Sequence, residues 1–456
     1  MEEFKLSNDI FDQIKDFNYK ELTDEQELLI DKLILDKELK KCYKENGLCK
    51  DCKRLNNDNN WCQSCNAKHF QQNFKNWTSG NYEVDNFIQK VQLRAKGDKE
   101  ILEWIEYNRF ENVEYLAKGG FGTIYRAIWK DGYIKNWDSE NNQWKRSKSC
   151  DKNHENFPVV LKCLHNSQDI SDFLRGIESN LFTCYQDNVI HCYGITKDPE
   201  SNNFMMVMQC AENGNLRQRL NYSFNSMKWG EKLDILRRIA MGLENIHDKG
   251  LVHCNFHCGN ILNSYNNFTL ISDLELCRPA NLIPSQDDYK KIYGVLPYVA
   301  PEVLREGEYT QKSDIYAFGI IAYEVYTGLP PYHDIAHDKI LAISICQGLR
   351  PKSSYKIPQV ILDIIKQCWD ADPLKRPYAG KFRELLDDVN SDEFNKQSEE
   401  ADKINEKLTS TLSYTTNPHA VYTSRLLDFK NLPEPKNAIV NKDDDNSIQL
   451  ENIQNP

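Results

Sequence analysis

The 456-residue sequence predicts an α+β chain with a β-rich region followed by a longer helical region, and a cysteine-rich, zinc-ribbon-like segment ahead of both. Three observations carry this reading. The stretch from Leu116 to Ile124 alternates as strands do around a glycine-rich turn. Ile235 to His247 and Ile315 to Tyr326 are apolar enough to be buried helices. Cys49-x-x-Cys52 and Cys62-x-x-Cys65 pair two short cysteine turns.

In chain order, residues 1–40 read as a helical segment, with Phe11, Ile14, Phe17, Leu22, Leu28, Leu29, Leu33 and Leu35 spread among charges. Residues 42–69 form the cysteine-rich module. Residues 70–109 read as a polar and aromatic linker with a short helix over Val84 to Val91. Residues 110–388 form one large domain. The gap from Ile124 to Lys162 is long for adjacent strands, so an insertion holding Trp129, Trp137 and Trp144 is expected to form a hairpin or flap. Residues 389–456 turn polar and predict a mostly disordered tail, with a helical part over Glu393 to Leu412.

Composition narrows the function classes. A formal charge of −11 argues against nucleic-acid binding by bulk electrostatics. No stretch approaches the roughly 20 apolar residues of a membrane span. Met1-Glu2-Glu3-Phe4 lacks the apolar run of a secretory signal. Fifteen cysteines in that setting suggest a cytoplasmic chain with reduced thiols and metal.

Four thiolates on two C-x-x-C turns, nine residues apart, suit tetrahedral zinc in a structural role. Cys42 and His69 are spare ligands. His333 and His337 stand four apart but read as surface histidines at a helix start after Pro330-Pro331. The cysteines at 184, 192, 210, 258, 277, 346 and 368 occur singly and read as small core residues.

Several motifs fall in a fixed order. Leu116-Ala117-Lys118-Gly119-Gly120-Phe121-Gly122-Thr123-Ile124 offers a glycine turn that backbone amides need to approach phosphates. Val159-Val160-Leu161-Lys162 follows, then His253-Cys254-Asn255-Phe256-His257-Cys258-Gly259-Asn260 and Ser272-Asp273-Leu274-Glu275. Ala300-Pro301-Glu302, Ser313 to Gly319, Cys368-Trp369 and Asp372 to Pro377 complete the set. Over about 280 residues this order resembles the protein kinases, specifically the tyrosine-kinase-like group and its expanded fungal families.

The resemblance implies a bilobal fold, ATP and Mg²⁺ as cofactors, and a protein substrate or regulated protein partner, with no nucleic acid or membrane. It implies nucleotide contacts at Ala117, Gly119, Gly122, Ile124 and Lys162, a gatekeeper at Met208, and a hinge from Gln209 to Ala211. It places Mg²⁺ on Asn260 and Asp273, pairs Glu302 with Arg376, and makes Asp314 the anchor of the catalytic loop.

Four departures stand out. Asn255 occupies the position of the catalytic aspartate, and a carboxamide cannot take up a proton at neutral pH. Glu275 replaces a glycine and could bind metal, repel phosphate, pair with Lys162 or face solvent. Cys254 replaces an arginine, so phosphate on Ser285, Tyr289 or Tyr293 would lack its charge-assisted partner. Gly176 falls where a helix glutamate should pair with Lys162. Glu178 lies two residues on, a rotation of about 200°.

The leading expectation is therefore an ATP-binding pseudokinase or severely impaired kinase acting as a signalling scaffold or regulator. A weakly active Ser/Thr or Tyr kinase is the alternative, since alignment and charge stabilisation dominate phosphoryl transfer. A zinc-module binding protein with the kinase fold as platform is the third reading. Substrate, partner, oligomeric state and hydroxyl preference are not encoded legibly.

Overall fold

The computed structural model describes the chain except residues 1–5, 59, 120–121, 148–156, 165–169, 184–187, 265–267, 281–291, 390–391, 410–414 and 438–456. It divides into two compact units. One holds Met1–Tyr185 and His191–Cys210, the other Gln186–Ile190 and Ala211–Pro456. Ser285, Tyr289, Cys184, Gly120 and Phe121 lie outside the described residues.

The first unit opens with helices α1 (Asn8–Ile14), α2 (Asp24–Leu33) and α3 (Lys37–Asn46). Thr23 and Gln26 close a reciprocal capping box on α2, satisfying two backbone donors. Ile14, Ile30, Ile34 and Tyr43 bury a small shared core, and the Tyr43 hydroxyl donates to the Ile14 carbonyl at 3.1 Å. Helix α4 (Gln63–Asn73) follows the cysteine turns, and α5 (Tyr82–Arg94) starts on an Asn81 cap. The expected linker is thus structured: α5 packs on α4, on strand β1 (Glu103–Trp104) and on helix α6 (Ile170–Thr183).

A six-stranded sheet forms the rest of this unit. Its strands are β1, β2 (Phe110–Lys118), β3 (Gly122–Trp129), β6 (Phe157–Leu164), β7 (Cys192–Lys197) and β8 (Phe204–Gln209). The order is β1-β7-β8-β6-β3-β2, antiparallel except for β1 beside β7. Gly122 is required by close approach: a Cβ there would sit 2.4 Å from the Cys163 carbonyl oxygen on the neighbouring strand.

The insertion forms a separate hairpin, β4 (Tyr133–Asp138) with β5 (Gln143–Ser147). Trp129 is not part of it; that ring lies in the sheet core against Phe157. The hairpin docks on the cysteine module through stacked pairs, Trp137 on His69 at 3.8 Å and Trp144 on Phe70 at 4.4 Å. Arg146 of β5 is bidentate to Glu103 of β1, whose carboxyl is raised by burial and held back by that arginine.

The second unit is helical: α7 (Leu216–Ser223), α8 (Trp229–Asp248), α9 (Pro301–Glu306), α10 (Gln311–Thr327), α11 (Lys339–Cys346), α12 (Gln359–Cys368), α13 (Ala379–Asp388) and α14 (Asp392–Thr409). Every residue of α10 from Ser313 to Thr327 is buried, so this apolar helix is the unit's centre, packed on α8 and α12. Short strands β9 (Leu251–Val252), β10 (Ile261–Asn263), β11 (Thr269–Ile271) and β12 (Arg278–Pro279) flank the loop at 253–260. Strand β13 (Ile292–Gly294) pairs with β14 (Arg425–Leu427).

Two expectations change here. The helix expected over Glu393 to Leu412 is α14, but the described residues 415–437 beyond it also pack on the unit, with Leu427 and Leu432 buried. Pro330-Pro331 opens a turn and not a helix, and His337 is buried at 2% exposure, its ring against the backbone of Val421 and Tyr332.

Candidate active site

The loop after β9 is held from behind by Asp314, at the first turn of α10. Its carboxylate accepts from the backbone N–H groups of His253 at 2.8 Å and Cys254 at 3.2 Å, and from the His247 ring at 3.0 Å. Cys254 and Asp273 both adopt left-handed backbone, φ 66° and 68°. Such conformations cost of order 1–3 kcal/mol for non-glycine residues and persist where neighbours enforce them. Here they bring two short segments together.

Three predicted residues meet at that point. The Asn255 carboxamide nitrogen donates to Asp273 Oδ2 at 2.7 Å, and the Asn260 carboxamide nitrogen donates to the same oxygen at 3.1 Å. Asn260 also donates to the Asn255 carbonyl at 2.9 Å, closing the loop on itself. Asn255 is 3% exposed. An aspartate at 255 would put a second carboxylate beside Asp273. The carboxamide instead supplies an N–H, so Asp273 is satisfied by hydrogen bonds.

Carboxylate and carboxamide oxygens are hard donors that suit Mg²⁺, so Asp273 and Asn260 fit the implied ion. Its binding would replace the Asn260–Asp273 hydrogen bond with oxygen contacts. Both carboxylate oxygens of Glu275 are shielded from solvent, which excludes the solvent-facing reading of that residue.

His257 is buried, and its Nδ1 accepts from the Gly259 N–H at 3.1 Å, so the ring proton sits on Nε2. Burial, then Arg217, hold this imidazole neutral, lowering it to about 3. Nε2 lies 3.2 Å from Ser424 Oγ, and that hydroxyl donates to Asn255 Oδ1 at 2.8 Å. His257, Ser424, Asn255 and Asp273 thus form one directed relay. Neither His257 nor Ser424 was legible as a site residue, because Ser424 is 169 positions from Asn255 in sequence.

In the sheet unit, Ile124 pairs with Ala117 on β2 and with Lys162 on β6. Lys162 is 8% exposed and pairs with Met206 on its other side. Gly119 donates its N–H to the Gly122 carbonyl at 2.8 Å, closing the glycine turn. Met208 is buried beside Val160, and Gln209 donates its N–H to the His191 carbonyl at 2.8 Å. Ala211 follows, half-buried. On α6, Gly176 faces inward and Glu178 is exposed, so no carboxylate stands at the inward position; the buried polar groups that follow on the helix are Ser179, Asn180 and Thr183.

Arg376 is bidentate to Glu302 at 2.6 and 2.8 Å, as the resemblance implies. Away from this loop, the sulfurs of Cys49, Cys52, Cys62 and Cys65 lie within 4.8 Å of one another. Cys49 and Cys65 are 3.7 Å apart and Cys52 and Cys62 3.4 Å, near the ~3.8 Å edge of a tetrahedron with 2.3 Å Zn–S bonds. The neighbouring Cys62 thiol lowers Cys49 to about 5, while Cys49 and burial hold Cys62 up; burial, then Cys49, push Cys65 to about 12. A divalent cation would let all four ionise. His69 and Cys42 stand outside the set: His69 stacks on Trp137, and the Cys42 thiol donates to the Asn56 carbonyl.

Residues 110–388 match the family model described as protein tyrosine and serine/threonine kinase. The human tyrosine-protein kinase FRK is 26% identical over 313 residues, covering 66% of this chain and 55% of that protein. A protein kinase and PP2C-like domain-containing protein of Arabidopsis thaliana is 28% identical over 299 residues, covering 59% of this chain and 42% of its own length. The chain therefore spans about half the length of these relatives.

Proposed function

The chain belongs to the protein tyrosine and serine/threonine kinase family, and from that premise we propose that it is an ATP- and Mg²⁺-binding member with severely impaired phosphotransfer that regulates a protein partner. Among the described residues no helix is long and apolar enough to cross a membrane. One observation carries the reading: the Asn255 carboxamide donates at 2.7 Å to Asp273. A group that donates to the metal-binding carboxylate cannot also accept a substrate proton at that atom. Losing a positioned base costs ~10²–10⁴-fold in rate while leaving binding groups in place.

Mg·ATP would supply the γ-phosphoryl group and the charge that neutralises it. Lys162 is the cation for phosphate contact. Asp273 and Asn260 offer oxygens for the ion. Glu275 adds a carboxylate two residues beyond Asp273, which weakens phosphate binding unless cations neutralise it.

The alternative, a weakly active kinase, draws on the Ser424 hydroxyl bonded to Asn255 Oδ1. The carboxamide orients a serine hydroxyl even though it cannot deprotonate it. Nucleotide binding by thermal shift, with and without Mg²⁺, beside a phosphotransfer assay, tests both. Mg²⁺-dependent binding with transfer far below the ~1–100 s⁻¹ of kinases is expected. Transfer within that range would overturn the proposal, as would no nucleotide binding. Asn255→Asp should raise turnover, and adding Glu275→Gly should raise it further, because the two changes repair different parts of the site.

A further inference from the structure

The segment that supplies Ser424 crosses the face of the helical unit on which the Asn255 loop lies. Its strand β14 adds antiparallel to β13, with Gly294 opposite Arg425 and Ile292 opposite Leu427. Adding a strand to a free edge is a common way to hold an extended peptide, with the backbone giving affinity and alternate side chains giving specificity. The side chains here are committed. Leu427, three residues after Ser424, is 2% exposed. The Tyr422 ring, two residues before, lies 4.1 Å from the Arg217 guanidinium. Between them the Ser424 hydroxyl is aimed at Asn255 Oδ1, with the neutral His257 ring donating to its oxygen.

This is more than tail packing. The one serine hydroxyl on the segment that meets the loop is aligned on the side chain at the base position, and the backbone beside it is paired to the strand leading into Val295–Tyr298. We propose that residues 417–437 are an intramolecular ligand for the face formed by the Asn255 loop and strand β13. They hold the place of a peptide substrate or partner, and must leave before one binds. The ligand this face takes in trans is then an extended strand with a serine hydroxyl at Asn255 and a leucine-sized side chain three residues later. The inference deepens the proposed function and rests on the Asn255 loop being the phosphotransfer site.

The test uses the full chain and a fluorescent peptide of residues 417–437, without nucleotide. The double variant Tyr422→Ala/Arg425→Ala removes two half-buried contacts of the segment, and Leu427→Asp is the second variant, each checked for a cooperative melt. A tethered segment competes at high effective concentration, so the wild-type chain should bind the free peptide at least tenfold more weakly than the variants. Amide exchange at Ile292 and Gly294 should speed up at least tenfold in the variants and slow again when peptide is added. A peptide carrying Ser424→Ala should bind severalfold more weakly than the unaltered one. Equal binding to wild type and variants overturns the proposal. So does protection that the variants leave unchanged, which makes the segment a permanent part of the fold. So does protection that added peptide fails to restore. Because no readout involves nucleotide or turnover, a chain that binds no ATP can still pass this test, and one that binds ATP can fail it.

Discussion

At the scale of one residue, the proposed impairment rests on Asn255. Replacing its carboxamide with a carboxylate would do two things at once. It would remove the N–H that satisfies Asp273 at 2.7 Å, and place like charges side by side. Asn255→Asp should therefore melt lower in chelator and recover with Mg²⁺. It should also gain ~10²–10⁴-fold in phosphotransfer, the scale of a positioned base. Ser424 should be the first acceptor, since its hydroxyl already points at residue 255. In that step the hydroxyl oxygen bonds the γ-phosphorus, ADP departs, and the hydroxyl proton passes to the introduced carboxylate. Mass spectrometry of the variant incubated with Mg·ATP should find one phosphate on Ser424 and lose it with Ser424→Ala. An unlabelled Ser424 beside a fully active variant would contradict the alignment.

Among elements, the ion pair between α9 and the turn before α13 is the clearest stabilising contact. Arg376 is 1% exposed and bidentate to Glu302, and it also donates to the Lys312 carbonyl at 2.9 Å. Breaking such a pair on one side costs about 3–5 kcal/mol, because the remaining charge stays buried without its partner. Glu302→Gln should lower the denaturant midpoint of the helical unit accordingly. Glu302→Leu with Arg376→Met should recover much of the loss. A single variant with an unchanged midpoint would show that the pair is solvated in practice. On β3, Gly122→Ala should disturb the β3–β6 pairing, since the new methyl meets backbone at 2.4 Å and cannot turn aside. Loss of strand protection in amide exchange measures it.

For the whole chain, the cysteine module is the element whose loss should spread furthest within its unit. Trp61 directly precedes Cys62, is 1% exposed, and donates its ring N–H to the Ala95 carbonyl at 2.9 Å. Trp144 of the inserted hairpin stacks on the same cluster. About one zinc per chain is expected by metal analysis. Chelation, or Cys52→Ser, should lower the first melting transition and red-shift tryptophan emission as that cluster loosens. Substoichiometric metal in freshly purified protein would reject the site. The sequence by itself determined the family, the order of strands before helices within residues 110–388, the buried run of α10 and the four cysteines. Each is written in local spacing or in motifs a few residues long. It also determined that position 255 carries no base, because that is a matter of residue identity alone. What Asn255 does instead was decided by tertiary structure. Its partners are Asp273, 18 residues away, and Ser424, 169 residues away, and no periodicity joins them. The tail shows why most clearly. Its polar composition predicts disorder, since composition measures how much apolar surface a segment could bury alone. Residues 415–437 are ordered because the apolar surface and the strand edge they use belong to the kinase domain.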